Sequence, residues 1–481
     1  MKIEPVKRQS LISFGCQIFS TIIGFIGTIY FARTVGASVL GAYFLFITYF
    51  GLVSILTDGG FGSAAVKRIS EGRQQNEYFS AYFFIRSLFV VIVIIGLLIF
   101  RGEFKDLDNE GLFIWIIIAL IISIFSSSIT TGIVGTGKIG ILSLSEFGYK
   151  VSRVLLQILF VFAGLSAVGL VSGYILPMII IPIVLFRFFE LKLVKFTWNN
   201  VKSLSTFSFW AFLSSTGILL YSYADTVLIG YYLNNVDVGI YRIAFQFTTI
   251  ALLIPTTFSS VLFPKVSRWE INNEINVIET TLTNVFRYSL AFVIPLFIGG
   301  LLLGKYILSL VYGSEFTSGY YVLIILLFTQ IVNVFQMMFL MHLNAMNKQK
   351  QAFKVTFVSV FANVILNIIL IQLMGITGAA IATMITMILN SYLAYRMLSK
   401  ALNITIDGSN LKSICKACIG MILVVGMYCL LVSITNIILL VIPIIFGGLV
   451  YVIILLKSET KIRNELKSVI HNLGGIMYGK I

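Results

Sequence analysis

Residues 437–456 read IILLVIPIIFGGLVYVIILL, twenty consecutive positions without a charged side chain. A helix of about 20 apolar residues is long enough to cross the hydrocarbon core of a bilayer, which is roughly 30 Å thick. The whole chain shares this character, because 58% of its 481 residues are hydrophobic, against about 45–50% in soluble domains. The sequence therefore predicts an all-α integral membrane protein and excludes a large aqueous catalytic domain.

Hydropathy, charges, glycines and prolines together predict about fourteen transmembrane helices. The polar start of the chain and the lack of a small-residue cleavage site indicate that the first apolar segment is retained in the mature protein. The predicted spans are 10–32, 40–62, 79–100, 112–136, 145–164, 167–186, 209–232, 238–262, 286–305, 320–344, 354–374, 378–396, 414–433 and 437–456.

The chain carries 34 Lys and Arg against 19 Asp and Glu, a net charge of +15. If the N-terminus is cytoplasmic, 28 of the 34 basic residues fall in the segments on the inner side. Membrane proteins concentrate Lys and Arg in their cytoplasmic loops. We therefore expect cytoplasmic N- and C-termini, and we interpret the excess charge as topogenic, with no nucleic-acid partner.

The sequence also repeats itself. Gly41-Ala42-Tyr43 has a counterpart in Gly239-Ile240-Tyr241, and Gly137-Lys138 has one in Asn347-Lys348. Each repeat spans six helices, and an even number of crossings returns the chain to the same side, so the repeats have the same topology. The predicted organisation is an N-terminal six-helix lobe (1–200), a C-terminal six-helix lobe (201–400), and two extra helices with a tail (401–481).

Ionisable groups at membrane depth are costly unless they are paired or hydrated, so they are candidate functional residues. Guanidinium groups outnumber carboxylates among them, which favours an anionic guest, and the planar donor fork of arginine suits phosphate. The candidates are Arg33, Arg86, Arg153, Arg242, Asp58 and Asp225.

A structural interpretation competes with the functional one. Asp58 and Arg86 lie at similar depth on consecutive predicted helices, as do Asp225 and Arg242, so both couples could be ion pairs that hold helices together. Arg153 has no acidic residue at its own depth. It is therefore the strongest functional candidate among the arginines.

Four amide side chains inside the predicted spans complete the candidate set: Gln17, Gln246, Asn363 and Asn367. Asn363 and Asn367 are spaced i, i+4 and so share one helix face. Amides on such a face could bind sugar hydroxyls, although hydrogen bonding between helices is their commoner use in membranes. The four Cys and two His indicate no metal framework, so neither a metal nor another cofactor is expected.

Several stretches resemble the polysaccharide biosynthesis proteins, and more narrowly the Wzx-type O-antigen and oligosaccharide flippases. This group belongs to the MOP superfamily, which also holds the MATE drug exporters and the lipid II flippase MurJ. The likeness covers about residues 8–400. The stretches that carry it are Ala32-Arg33-Thr34-Val35-Gly36, Asp58-Gly59-Gly60-Phe61-Gly62, Tyr223-Ala224-Asp225 and Tyr312-Gly313.

The resemblance implies two pseudo-symmetric lobes around a cavity that opens alternately to either side of the bacterial cytoplasmic membrane. It implies an undecaprenyl-pyrophosphate-linked oligosaccharide as guest, for O-antigen or capsule assembly, with Arg33, Arg86, Arg153 and Arg242 engaging its anionic part. The protein would not be an enzyme. A H⁺ or Na⁺ gradient could drive it, and a polysaccharide polymerase and a chain-length regulator could be partners.

Other functions remain open at this stage. A MATE-like cation-coupled drug antiporter would need acidic groups in its cavity, and Asp58 and Asp225 are the deep acids. A membrane glycosyltransferase or polymerase would need a sizeable catalytic loop, whereas the outer connections 101–111 and 306–319 are short. A passive scaffold for a sugar-assembly complex is a third alternative.

Overall fold

The computed structural model describes residues 5–405 and 407–464, and it describes their side chains except those of 5–14, 17–18, 139, 210–211 and 213–222. The described part is helical and contains no strand. Its α-helices are α1 (Pro5–Asp58), α2 (Phe61–Ser70), α3 (Gln75–Ile99), α4 (Lys105–Asn109), α5 (Phe113–Gly135), α6 (Ile139–Phe162), α7 (Ser166–Ile175), α8 (Pro177–Phe186), α9 (Trp198–Tyr232), α10 (Asn235–Thr248), α11 (Leu253–Ile271), α12 (Ile275–Ile307), α13 (Tyr320–Ala345), α14 (Gln349–Leu398), α15 (Gly408–Leu431) and α16 (Ile437–Ser458).

Ten helical stretches of the described chain are long and apolar enough to cross a membrane. Two of the helices are too long for one crossing, since α1 has 54 residues and α14 has 50, which is about 80 and 75 Å of helix. Each is interrupted by a glycine in the left-handed region, Gly36 at φ 76° and Gly375 at φ 59°, where side chains with a Cβ are strained. Both glycines fall in predicted connections, so each long helix holds two predicted spans.

The second predicted span ends earlier than expected. Helix α1 stops at Asp58, and Gly59 and Gly60 turn the chain with φ of 54° and 77°. The next ten residues, predicted to be mostly connection, form the separate helix α2. Hydropathy cannot detect such a break because the residues on both sides of it are apolar.

Proline interrupts two other predicted spans. Pro177 begins α8 and separates it from α7, and a short 3₁₀ turn at Thr249–Leu252 precedes Pro255 and separates α10 from α11. Proline has no amide hydrogen and cannot donate to the carbonyl four residues earlier. Spans six and eight are therefore bent rather than straight.

Two glycines that correspond in the repeat lie against each other. A Cβ atom on Gly41 would lie 3.0 Å from the backbone nitrogen of Gly239, and one on Gly239 would lie 3.2 Å from the nitrogen of Gly41. The same Cβ atoms would clash with the carbonyl oxygens of Asn235 and Ala37. Only glycine lets the two backbones cross this closely.

The described chain forms two compact units. The first contains the residues up to Arg242 together with Asn363–Ala379, and the second contains Ile243–Ala362 together with the residues from Ala380 onward. The first unit thus takes in pieces of both sequence repeats. The predicted division at residues 200 and 400 was based on the sequence repeat, whereas these two units are defined by how densely their residues pack. The division into lobes therefore stays a prediction.

Candidate functional site

The first unit holds a buried ion pair between α3 and the end of α1. Nη1 of Arg86 lies 2.9 Å from Oδ1 of Asp58, and Arg86 is only 4% exposed. Nη2 of Arg86 donates to the Ser127 hydroxyl at 2.9 Å, and the Tyr82 hydroxyl donates to Asp58 at 3.3 Å. Such a network satisfies both charges inside the protein, so this couple matches the structural interpretation offered by the sequence.

Arg153 on α6 has different surroundings. Its guanidinium carbon lies 5.9 Å from the centre of the Tyr174 ring, and its Nε is buried without a hydrogen-bond partner. Within the part of the chain that the structure describes, Arg153 makes no hydrogen bond or ion pair. A guanidinium has five N–H donors, and no described residue accepts a hydrogen bond from this half-buried side chain.

Aromatic rings surround Tyr174. The rings of Phe46, Phe50 and Tyr149 have their centres 6.1 Å from that of Tyr174, each in an edge-to-face arrangement. The Tyr149 hydroxyl donates to the Tyr174 carbonyl at 3.1 Å. This aromatic cluster fixes the ring on which Arg153 rests, and it attracts the cation through the negative faces of its rings.

Arg242 on α10 also lies over an aromatic ring, that of Phe44 at 5.6 Å. The predicted partner Asp225 is 6% exposed and accepts hydrogen bonds from the Tyr241 hydroxyl at 2.5 Å and from Nδ2 of Asn367 at 2.7 Å. Asp225 also lies within electrostatic range of the Arg242 guanidinium. This carboxylate is therefore held by several groups of the same unit.

Asn363 and Asn367 share a helix face, as their spacing predicts. Nδ2 of Asn367 donates to Oδ1 of Asn363 at 3.1 Å, and both side chains are almost completely buried. Oδ1 of Asn367 has no hydrogen-bond partner. The pair serves hydrogen bonding between helices here, while a direct role in binding solute stays a prediction.

Three predicted site residues remain: Arg33, Gln246 and Gln17. Arg33 is exposed and precedes the Gly36 break in α1. Gln246 is half-buried on α10 and belongs to the second unit. The side chain of Gln17 lies outside the described residues.

Sequence reasoning missed Gln157 and Tyr43, which lie beside Arg153. Nε2 of Gln157 donates to the Tyr43 hydroxyl at 2.7 Å and to the Leu170 carbonyl at 2.8 Å. The repeat itself contained the signal. The correspondence of Lys138 with Lys348 is an offset of 210 positions, and the same offset carries Asn363 and Asn367 back to positions 153 and 157.

The second unit contains an apolar groove of about 550 Å³ along α12, α15 and α16. Phe292, Pro295, Met421, Gly447 and Tyr451 are among its lining residues, and almost all of its surface is carbon. A groove of this volume and chemistry suits a hydrocarbon chain.

An ion pair connects the first half of α12 to the start of α15 in the same unit. Nη2 of Arg287 lies 2.6 Å from Oδ2 of Asp407, which also caps α15 by accepting from the amide of Ser409. Hydrogen bonds from Ser409 and Arg287 hold the pKa of the Asp407 carboxyl well below its ordinary value. The predicted thirteenth helix is thus tied to α12 by a specific polar contact.

This chain is similar to two families of membrane proteins and to two proteins that are named as flippases. The chain matches the family model described as polysaccharide biosynthesis protein over residues 6–270 and the MatE model over 211–369. A probable low-salt glycan biosynthesis flippase of Haloferax volcanii, Agl15, is 32% identical, with 96% of this chain and 99% of that protein covered. A probable flippase of the same organism, AglR, is 27% identical, with 82% and 83% covered.

Among solved structures, the lipid II flippase MurJ in an inward closed conformation is similar with a TM-score of 0.78 at 20% identity, covering 95% of this chain and 100% of that one. At this identity the likeness concerns the fold. The fold is therefore a multi-helix membrane fold of the MOP type, as the sequence predicted.

Proposed function

The chain belongs to the polysaccharide biosynthesis protein family, and we propose that it is a flippase that carries a lipid-linked oligosaccharide across the cytoplasmic membrane. The guest would be joined to a polyprenol through pyrophosphate, in the finer form of the proposal an undecaprenyl-pyrophosphate-linked repeat unit for O-antigen or capsule. Relatives that are named flippases support a transporter rather than a catalyst. The protein is a multi-pass membrane protein, and cytoplasmic termini are part of the proposal.

The observation that carries the proposal is Arg153. It is a half-buried cation on an aromatic ring, with its donors unused within the described chain. Moving a bare pyrophosphate through hydrocarbon would cost tens of kcal/mol. Guanidinium groups at membrane depth, from Arg153 and Arg242, replace part of the lost hydration through charge-assisted hydrogen bonds.

Two further features fit a lipid-linked guest. The apolar groove of the second unit offers a surface for a polyprenyl chain. The rings of Tyr149 and Tyr174 lie beside Arg153, and aromatic faces pack well against the C–H faces of sugars. No covalent chemistry is needed, since alternating access to the two sides is enough to move the guest.

Ion coupling is a second part of the proposal. Oδ1 of Asn367 is buried without a partner, next to the Asp225 carboxylate that Asn367 contacts through Nδ2. An oxygen without a donor beside a carboxylate favours a proton or Na⁺ as the coupling ion. Varying the Na⁺ and pH gradients independently in proteoliposomes tests this part, since a rate that follows neither gradient would contradict it.

The test of function uses a deletion strain complemented with variants of the chain. We expect the deletion to lose surface glycan while lipid-linked repeat units accumulate inside, and Arg153→Ala to behave like the deletion at normal protein abundance. The matched control is Arg396→Ala, because exposed Arg396 lies over the Tyr392 ring at 6.0 Å, much as Arg153 lies over Tyr174. Normal glycan in the Arg153 variant would remove this residue from the site.

The alternative is a MATE-like antiporter of cationic drugs, which the match to the MatE model over 211–369 keeps in view. The contacts of the deep acids favour the flippase, because Asp58 is neutralised by Arg86 and Asp225 is bonded to Tyr241 and Asn367. Unchanged glycan in the deletion strain, together with greater sensitivity to cationic dyes, would favour the antiporter. A polymerase and a chain-length regulator remain proposed partners.

A further inference from the structure

Residues 187–203, here called the basic strap, join the two repeats and begin with a non-helical segment between α8 and α9. One side of this segment is bound to α3. The amide of Lys192 donates to Oδ1 of Asn76 at 2.9 Å, and the amide of Val194 donates to the Ser80 hydroxyl at 2.8 Å. Leu191 packs into the core beneath it. The strap is therefore held in one orientation.

The other side of the strap is apolar and exposed. Leu193 is 63% exposed and Trp198 is 76% exposed, and Phe188 beside them is 42% exposed. No described helix covers these side chains in this chain. Large apolar side chains in such a position need an environment other than bulk water.

Basic residues lie among these apolar side chains. The strap contains four of them, Arg187, Lys192, Lys195 and Lys202, and all four are exposed. Its single acidic residue, Glu190, is paired with Lys138 at 2.6 Å. The exposed face therefore has a clear positive excess with no acidic residue of the strap left to balance it.

The position of the strap explains this mixture. It follows directly after the candidate span Ser166–Phe186, so it lies at a boundary between hydrocarbon and water. Tryptophan is enriched at this level of the membrane, and a surface that combines aliphatic side chains with lysine lies in the headgroup layer. Juxtamembrane basic clusters bind anionic lipid.

We propose that the basic strap is a binding surface for the headgroups of anionic phospholipids. Its lysines contact the phosphates, while Leu193 and Trp198 insert between the upper parts of the acyl chains. The inference stands independently of the transported guest, because none of its residues belongs to the site around Arg153.

The test measures lipid binding to the purified full-length chain by native mass spectrometry, with phosphatidylglycerol and phosphatidylcholine as probes. We expect wild type to bind phosphatidylglycerol more tightly, and a triple variant, Lys192→Gln, Lys195→Gln and Lys202→Gln, to bind it at least tenfold more weakly. Exchanging the same three lysines for arginine should keep the binding. Added salt should weaken binding to wild type more than binding to the glutamine variant, because a charge contact is screened.

A second triple variant serves as the matched control: Lys350→Gln, Lys354→Gln and Lys400→Gln, which removes the same charge from exposed positions outside the strap. It should bind phosphatidylglycerol as wild type does. Equal loss in both glutamine variants would show that net charge alone attracts the lipid, and unchanged binding in the strap variant would show that the lysines make no contact. Either result would overturn the proposal.

Discussion

The two repeats carry different chemistry at equivalent positions of one helix. Arg153 and Gln157 on α6 correspond to Asn363 and Asn367 on α14, 210 residues later. The second member of each couple donates an amide hydrogen bond to a neighbouring helix at 2.7 Å, to a tyrosine hydroxyl in the first repeat and to a carboxylate in the second. The first member is an arginine with open donors in one repeat and a buried amide in the other. One position therefore connects neighbouring helices in both repeats, whereas the position one turn earlier differs between the repeats in charge and in hydrogen bonding.

The turns before these helices support the correspondence. Gly137 and Asn347 both have left-handed backbone, with φ of 80° and 57°. The amides of Lys138 and Lys348 each donate to the carbonyl five residues earlier, at 3.1 and 2.8 Å. The same local structure precedes both helices, so residues 210 positions apart occupy equivalent places in the two helices.

At a second pair of equivalent positions, the arginine belongs to the second repeat and the uncharged residue to the first. The offset of 198 that relates Gly41 to Gly239 also relates Phe44 to Arg242. These two residues touch, with the guanidinium carbon 5.6 Å from the ring centre. Arg153 in the first repeat and Arg242 in the second thus both lie over an aromatic ring, but they belong to helices at different places in the repeat.

The largest expected effect is that of Arg153→Asn, which gives the first repeat the residue of the second. Transport of a fluorescent lipid-linked oligosaccharide into proteoliposomes should fall at least tenfold, because a hydrogen bond to a charged group contributes about 1.5–3 kcal/mol. The unfolding temperature should fall only slightly, because Arg153 makes no hydrogen bond or ion pair within the described chain and the variant loses only the contact with the Tyr174 ring. Full transport by this variant would contradict a role for the Arg153 guanidinium that asparagine cannot fill.

A smaller effect, on stability, is expected for Asn367→Leu. The substitution removes a donor from the buried Asp225 carboxylate, and it should lower the free energy of unfolding by about 3 kcal/mol. Thermal unfolding in detergent measures it. Unchanged stability in the leucine variant would show that Asp225 does not depend on this donor.

The equivalent change in the first repeat, Gln157→Leu, should cost less. It leaves a neutral hydroxyl on Tyr43 and a carbonyl at Leu170 without their donor, which corresponds to about 1–2 kcal/mol. The same unfolding assay compares the two variants directly. If Gln157→Leu lost as much stability as Asn367→Leu, the charge of the Asp225 carboxylate would not account for any difference between the two positions.

The smallest effect is expected for Phe44→Leu, which removes the ring beneath Arg242. A partly desolvated cation–π contact contributes about 1–2 kcal/mol, so transport should fall about threefold to tenfold. The control is Tyr392→Leu, which removes the ring beneath exposed Arg396. Equal losses in both variants would indicate that the ring affects general stability and not the position of Arg242.

Hydropathy and punctuation predicted the helical membrane fold and the connections that contain Gly36 and Gly375, and they offered the pairing of Asp58 with Arg86 as one of two interpretations. These features follow from local chemistry. Apolar runs define spans, glycine permits the left-handed backbone, and charges at equal depth on consecutive helices are close enough to pair. The sequence could not show that Gly59 and Gly60 end a helix within an apolar run.

The surroundings of Arg153 were also beyond the sequence. Tyr149 and Tyr174 are two of 22 tyrosines in the chain, and hydropathy does not tell which face of a helix an aromatic side chain occupies. Their approach to Arg153 depends on the packing of α6 against α7, which contact each other along their length. The repeat offset was the one sequence signal that pointed to Gln157.

The crossing of Gly41 and Gly239 has a consequence for the origin of the fold. In an isologous pair, a residue that touches its own counterpart lies on the two-fold axis. These two glycines are counterparts in the repeat, and their backbones touch, which is the contact that residues on such an axis make. Two separate half-length chains could form this contact as a symmetric homodimer, with a single glycine position supplying both sides. The joined chain therefore keeps, inside one polypeptide, an interface of the kind that subunits make.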